Sequence, residues 1–315
     1  FTSQNFLTLP KGDTAQRGRG RALFIGGLRE PSPSSINNIS YSQIQSTGTV
    51  FDFGDLTLDR WISASGASST RAVIAGGYSA PDRRNTIDYV TIATTSNAID
   101  FGDLITKRTY VAGFSSLTRS IAGGGNDGSN NLNSIEFLTI ATTGDGTDFG
   151  DLSSTTSEIV GDCSPTRGLF MGGSTPTILN TVEFITIATT GDAQNFGDLN
   201  AATSGGGALS SNTRALYGGG DTPSRTNTIE FFTIATTGDA TDFGDLTVAM
   251  ASIYGATSNN VRGVFVGGFK NPGTNTNSID TVIIASTGNA QDFGDLFHRT
   301  RGTTATSDSH GGLSE

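Results

Sequence analysis

Thr228-Ile-Glu-Phe-Phe-Thr-Ile-Ala-Thr-Thr-Gly-Asp-Ala-Thr-Asp-Phe-Gly-Asp-Leu246 decides the fold, because most of it recurs along the chain. Its last four letters begin at Phe53, Phe101, Phe149, Phe196, Phe243 and Phe293, about 48 residues apart. Self-similarity at that spacing means an array of one supersecondary unit, and the length suits a four-stranded propeller blade better than a helical hairpin. Upstream of the quoted stretch, Arg214-Ala-Leu-Tyr-Gly-Gly-Gly220 reads as a strand, and downstream a weaker strand runs to Ser258. Four strands per unit result. In the third, Ile229 and Phe231 face one way and Phe232 and Ile234 the other, as a sheet buried between two neighbours requires.

Composition agrees with an all-β chain. The 315 residues include 43 glycines, and only 15% are charged, too few for helices with Glu- and Lys-rich surfaces. Paired glycines at Gly26-Gly27, Gly76-Gly77, Gly123-Gly124, Gly172-Gly173, Gly218-Gly219 and Gly267-Gly268 each end an apolar strand. There they permit positive φ and close backbone approach, and no helix start or Lys follows that would make them phosphate loops.

An apolar strand ending in Gly-Gly, a variable loop, an Asn-Thr-Ile-Glu-Phe strand, then an aromatic and a Leu resembles the kelch repeat over residues 20 to 312. Phenylalanine stands where kelch repeats carry tryptophan. The resemblance implies a β-propeller and leaves function open. Residues 233–246 also resemble repeats of virion-associated, fibre-like or structural proteins of marine bacteriophages, especially cyanophages. This implies location on a virion surface, with other virion proteins as partners.

The phase of the repeat predicts how the propeller closes. The first Gly-Gly strand starts at Arg21 without a full preceding strand, whereas Phe297 to Ser307 follow the last Phe-Gly-Asp-Leu, and Thr304–Ser307 align with Gly255–Ser258. Residues 298 to 307 are therefore expected to pair with the strand at 21 to 27, giving a six-bladed ring of four-stranded antiparallel blades with no open sheet edge. The domain is expected over 20–315, preceded by an arm at 1–19. That arm reads either as an anchor in a partner or as an extra rim strand. A chain beginning with Phe is expected to be processed, trimmed or a fragment. No signal peptide and no apolar span of about 20 residues occurs, which predicts no membrane insertion.

The net charge of −10 arises largely in the framework, since close to half of the 29 acidic residues lie in the repeated turns and Phe-Gly-Asp-Leu segments. Such acidity disfavours nucleic acid as a ligand. The Asp-x-x-Asp-x-x-Asp spacing of Asp239, Asp242 and Asp245 favours turn capping over Ca²⁺ ligation, because it lacks the ligand positions of a calcium loop. Arg21, Arg71, Arg119, Arg167, Arg214 and Arg262 each precede a Gly-Gly strand. They could line the axis for an anion, but pairing with framework Asp or backbone carbonyls is the favoured role.

Catalysis is not expected. His298 and His310 both lie near the C-terminus without a recurrent Ser or Cys partner. Cys163 is the only cysteine and aligns with Ala67, Leu209 and Thr257 as an ordinary strand position. No cofactor and no metal site are predicted.

Variation gathers instead in the loops joining strands two to three and in those leading from strand four to the next blade, which an antiparallel blade brings to one face. Candidate ligand-binding residues there are Arg29, Arg60, Trp61, Tyr78, Arg83, Arg84, Lys107, Arg108, Asn126, Arg225, Phe269 and Lys270. The expected function is a non-enzymatic virion module binding a host-surface component such as a glycan. Capsid or tail decoration and a secreted carbohydrate-active enzyme are the alternatives.

Overall fold

The computed structural model describes residues 20–31, 34–46 and 48–313, so the arm expected at 1–19 lies outside the described residues. The described chain is all strand and turn, without a helix, arranged as four-stranded antiparallel blades of a propeller. We number the repeats by their Phe-Gly-Asp-Leu copies. Repeat five is representative, with Gly207–Ser210 innermost, then Arg214–Gly218, Thr228–Thr233 and Thr241–Asp245.

The six motif phenylalanines are each at most 4% exposed. They are buried because the core is divided among the spaces between repeats. Phe149, for example, packs with Phe170, Ile185 and Ile187 of repeat four, and Phe243 with Phe265, Val282 and Ile284 of repeat six. Another cluster joins Phe24 and Ile44 of repeat one to Val264, Ile279 and Phe293 of repeat six. The motif glycine has a separate cause. Gly150 has φ +146°, and an added Cβ would lie 2.5 Å from the Gly191 carbonyl of the neighbouring turn.

That turn caps the motif next to it. Backbone amides of Asp103, Asp151 and Asp198 donate to the carboxylates of Asp145, Asp192 and Asp239 one repeat on, each at 3.0 Å. The turn aspartates thus cap a neighbouring strand end rather than their own turn. The periodic arginines also bind between repeats. Arg21, Arg71, Arg119, Arg167, Arg214 and Arg262 donate to the carbonyls of Ile92, Ile140, Ile187, Ile234, Ile284 and Ile44 respectively. The first five also stack on Tyr41, Tyr89, Phe137, Phe184 and Phe231. Backbone pairing, not an axial anion site and not framework Asp, is what these guanidiniums do.

Three sequence expectations require correction. Six separate blades closing a regular ring were expected, but five form separate four-stranded sheets. In repeat six, Thr274–Ile283 and Gln291–Arg301 run on past the blade, and Thr300 and Arg301 pair with Arg29 and Leu28 of repeat one. The extra pairing satisfies linker backbone and merges these strands into an eight-stranded sheet. Second, Thr304–Ser307 alone pairs with Ala22–Ile25, while residues 298–301 belong to the preceding strand. Third, the glycines with positive φ in repeats three and five are Gly124-Gly125 and Gly219-Gly220, one residue later than read, because the first glycine of each triplet stays in its strand.

The innermost strands at 64–67, 112–115, 160–163, 207–210, 255–258 and 304–307 touch in that order, and the last touches the first. Their final residues form a hydroxyl and thiol relay. Ser307, Ser258, Ser210, Cys163 and Ser115 donate in turn to the carbonyls of Ser258, Ser210, Cys163, Ser115 and Ala67. Cys163 therefore registers with Ser210 and Ser258 rather than with Leu209 and Thr257.

Candidate functional site

Both variable loop families do meet on one face. Linker residues bridge the two-to-three loop of the next blade, as Trp61 with Tyr78, Thr109 with Asn126, Ser157 with Ser174 and Ser204 with Asp221. The linker must also turn inward to begin the innermost strand. At that turn Ile62, Tyr110 and Glu158 adopt φ between 55° and 58° where Gly205 and Gly302 stand in other repeats, and the linker of repeat six has two such residues, Ser252 at 53° and Tyr254 at 45°. For residues with a Cβ this conformation is costly and needs compensation. Part of it is a backbone chain around the mouth of the axis, in which the amides of Ile62, Gly302 and Gly205 donate to Gly302, Ser252 and Glu158 carbonyls.

The constraint fixes an aromatic series at that mouth. Trp61 meets Tyr78 edge-on at 6.2 Å and Tyr110 at 6.3 Å, and Tyr110 meets Tyr254 at 6.2 Å. All four are half-buried. Arg83 lies over Tyr78 and donates to Asn126, while Arg301 lies over both Trp61 and Phe269. Arg225 lies over the Phe269 ring at 4.2 Å. Burial, then the nearby Glu158 carboxylate, pushes the Tyr110 hydroxyl above its ordinary range, so it stays a donor. Glu158 itself accepts from the Ser204 hydroxyl at 2.8 Å.

The other candidates divide. Arg29 and Lys270 sit in the ribbons pairing with Thr300 and Met250, Arg84 faces the Ser79 carbonyl, and exposed Lys107 pairs loosely with Asp82 at 3.7 Å. Arg60 and Arg108 are corrections, since both side chains are 0% exposed and no ligand reaches them. Arg60 donates to the Gly76 and Thr86 carbonyls and at 2.9 Å to Asp88, and Arg108 to the Gly124 and Ser134 carbonyls and to Glu136. Each ties a linker under the glycine pair of the next blade. Asp88, Glu136, Glu183, Glu230 and Asp280 share another framework task, accepting from the amides of Thr57, Ile105, Ser153, Asn200 and Thr247 just past the preceding motif.

Sequence comparison adds no relative: no family model matches the chain, and no curated protein is significantly similar. Its likeness is to the propeller architecture as such.

The axis below the mouth is narrow, a cavity of about 40 Å³ lined by Ser65, Gly113, Asp162, Tyr254, Thr306 and His310 among others. At its far end residues after Ser307 cross it. Asp308 accepts from the Gly20 and Arg21 amides, and buried His310 accepts at Nδ1 from Gly312 N–H. The neutral ring then carries its proton on Nε2 and donates to the Ala67 carbonyl at 2.9 Å. His310, Cys163 and Asp162 bring nitrogen, sulfur and oxygen within 4.8 Å of one another, a meeting no sequence periodicity announces. The set suits zinc by donor type. Both histidine nitrogens and the thiol are nevertheless already engaged by the protein, the thiol donating to Ser115 O. The cluster serves as a hydrogen-bonded plug. Tyr110, Glu158, Tyr254 and Arg301 were likewise missed, although aligning the linkers as a column would have singled out their variation.

Proposed function

We propose that this chain is a non-enzymatic recognition module of a bacteriophage particle, binding a host-surface glycan through the loop face. The carrying observation is the fixed series Tyr78, Trp61, Tyr110 and Tyr254 at the mouth of the axis, flanked by Arg83 and Arg301. Aromatic faces pack on the apolar faces of sugars, and guanidinium and amide groups hydrogen-bond hydroxyls. The resemblance of residues 233–246 to virion repeats supports the location, and the kelch-like repeat pattern supports six sectors acting as one ring. Closure of that ring is further supported by the cluster joining repeats one and six and by the cyclic neighbours along the axis.

Decoration of a capsid or tail is the second reading, favoured by exposed Phe51, Leu58, Ile99 and Ile105 along repeats one and two. A glycan array probed with the purified chain separates the two. Trp61→Ala combined with Tyr78→Ala is expected to abolish binding with an unchanged melting profile, whereas Asp239→Asn on the opposite face leaves binding intact. Unaltered array binding by the double variant, with the loop face covered by another virion protein in the assembled particle, would favour decoration.

A further inference from the structure

Resting on that reading, we infer that the ligand is a saccharide bearing carboxylate groups, held along a strip where guanidinium and aromatic groups alternate. The strip runs Arg225, Phe269, Arg301, Trp61, Tyr78, Arg83, with guanidinium-to-ring distances of 4.2, 4.4, 5.7 and 5.3 Å at its four stacked contacts. Its length comes from five separate segments, four loops and the end of the strand Gln291–Arg301, so it is a product of assembly and not of any one repeat.

Two independent features make it an anion site. Among the described residues the ion pairs are Arg60 with Asp88, Arg108 with Glu136 and Lys107 with Asp82, so none of the three strip arginines is neutralised by a carboxylate. The three side chains are moreover only partly buried, and no side-chain hydrogen bond runs from Arg301 to the described residues, so outer guanidinium nitrogens stay open while Nε is shut off from solvent. Each guanidinium offers five donors, of which the protein takes one from Arg83 to Asn126 and one from Arg225 to Asn271. Stacking holds the planes still while leaving donor edges for a guest. The repeated aspartate turns lie at the opposite end of the blades, so the protein's excess negative charge is not concentrated beside the strip. A carboxylate matches the planar fork in bidentate fashion, and the interleaved rings supply the sugar-stacking surface.

Isothermal titration of the full chain with oligogalacturonate, its methyl ester, dextran and dextran sulfate tests this. Oligogalacturonate is expected to bind, with the methyl ester and dextran at least about tenfold weaker. Arg225→Gln with Arg301→Gln, and separately Arg83→Gln, should each weaken oligogalacturonate about tenfold while melting as wild type. The Arg83 variant guards against disturbance of the strand that carries Arg301. Equal binding of dextran overturns the carboxylate assignment while leaving glycan recognition standing. Binding of dextran sulfate in place of oligogalacturonate also overturns it, in favour of sulfated sugars. If no saccharide binds and the array is blank, the glycan reading itself fails.

Discussion

At the scale of single residues, this protein places charge in its interior in two ways. Arg60 and Arg108 are buried with a carboxylate and carbonyl partners, so their positive charge is compensated even though burial pulls both below the ordinary arginine value. Asp162 and His310 instead avoid charge. Burial raises the Asp162 carboxyl to about 7 and lowers the His310 imidazole to about 4. For Asp162 the unfolded chain ionises first as pH rises, costing about 4 kcal/mol of stability between about pH 4 and pH 7. For His310 the unfolded chain protonates first as pH falls, costing about 3 kcal/mol between about pH 6.5 and pH 4. The two trends oppose each other over a shared window. His310→Gln is therefore expected to melt higher on acidification from about pH 7 to about pH 4, and Asp162→Asn to melt lower. Parallel pH profiles for the two variants would refute the assignment.

Among elements, strand four with its motif phenylalanine recurs in all six repeats and strand three with its stacked aromatic in five, while repeat six keeps Phe293 and lacks the stacked aromatic. Thr281 replaces the aromatic there and donates to the Gly263 carbonyl, while its strand lengthens to ten residues and joins the rim. In a regular blade the phenylalanine is the larger contributor. Phe243→Ala empties a site between Phe265, Val282 and Ile284. The loss should be roughly 3 to 5 kcal/mol, read as a lower denaturation midpoint with an unchanged slope. A midpoint within error of wild type would mean that the neighbours collapse into the space or that the ring is not buried in solution.

For the whole molecule, the terminal strand Thr304–Ser307 is the inner strand of repeat one and the end of the hydroxyl relay. Truncation after Thr303 exposes the edge of Arg21–Ile25 and removes the Asp308 acceptor at the start of the described chain. Truncation after Asp308 keeps both and removes the plug alone. The first is expected to lower hydrogen-exchange protection in all repeats, the second mainly around Ser115 and Cys163. Loss confined to repeat one in the shorter chain would show that the repeats are stable independently.

What the sequence determined by itself was whatever repeats. The period, the strand order, the buried phenylalanines, the carbonyl-bound arginines and the shared loop face all follow from residues recurring in one chemical role, which makes a local rule visible six times. Tertiary structure decided the rest because it depends on single positions meeting between blades. Arg60 and Arg108 read as surface charge until Asp88 and Glu136, one blade away, turned out to enclose them. His310 meets Cys163 only because the chain end crosses the axis. Trp61, Tyr110 and Tyr254 lie far apart in sequence, yet the left-handed linker turns bring them together at one mouth, a geometry set by contacts between blades rather than by any local pattern.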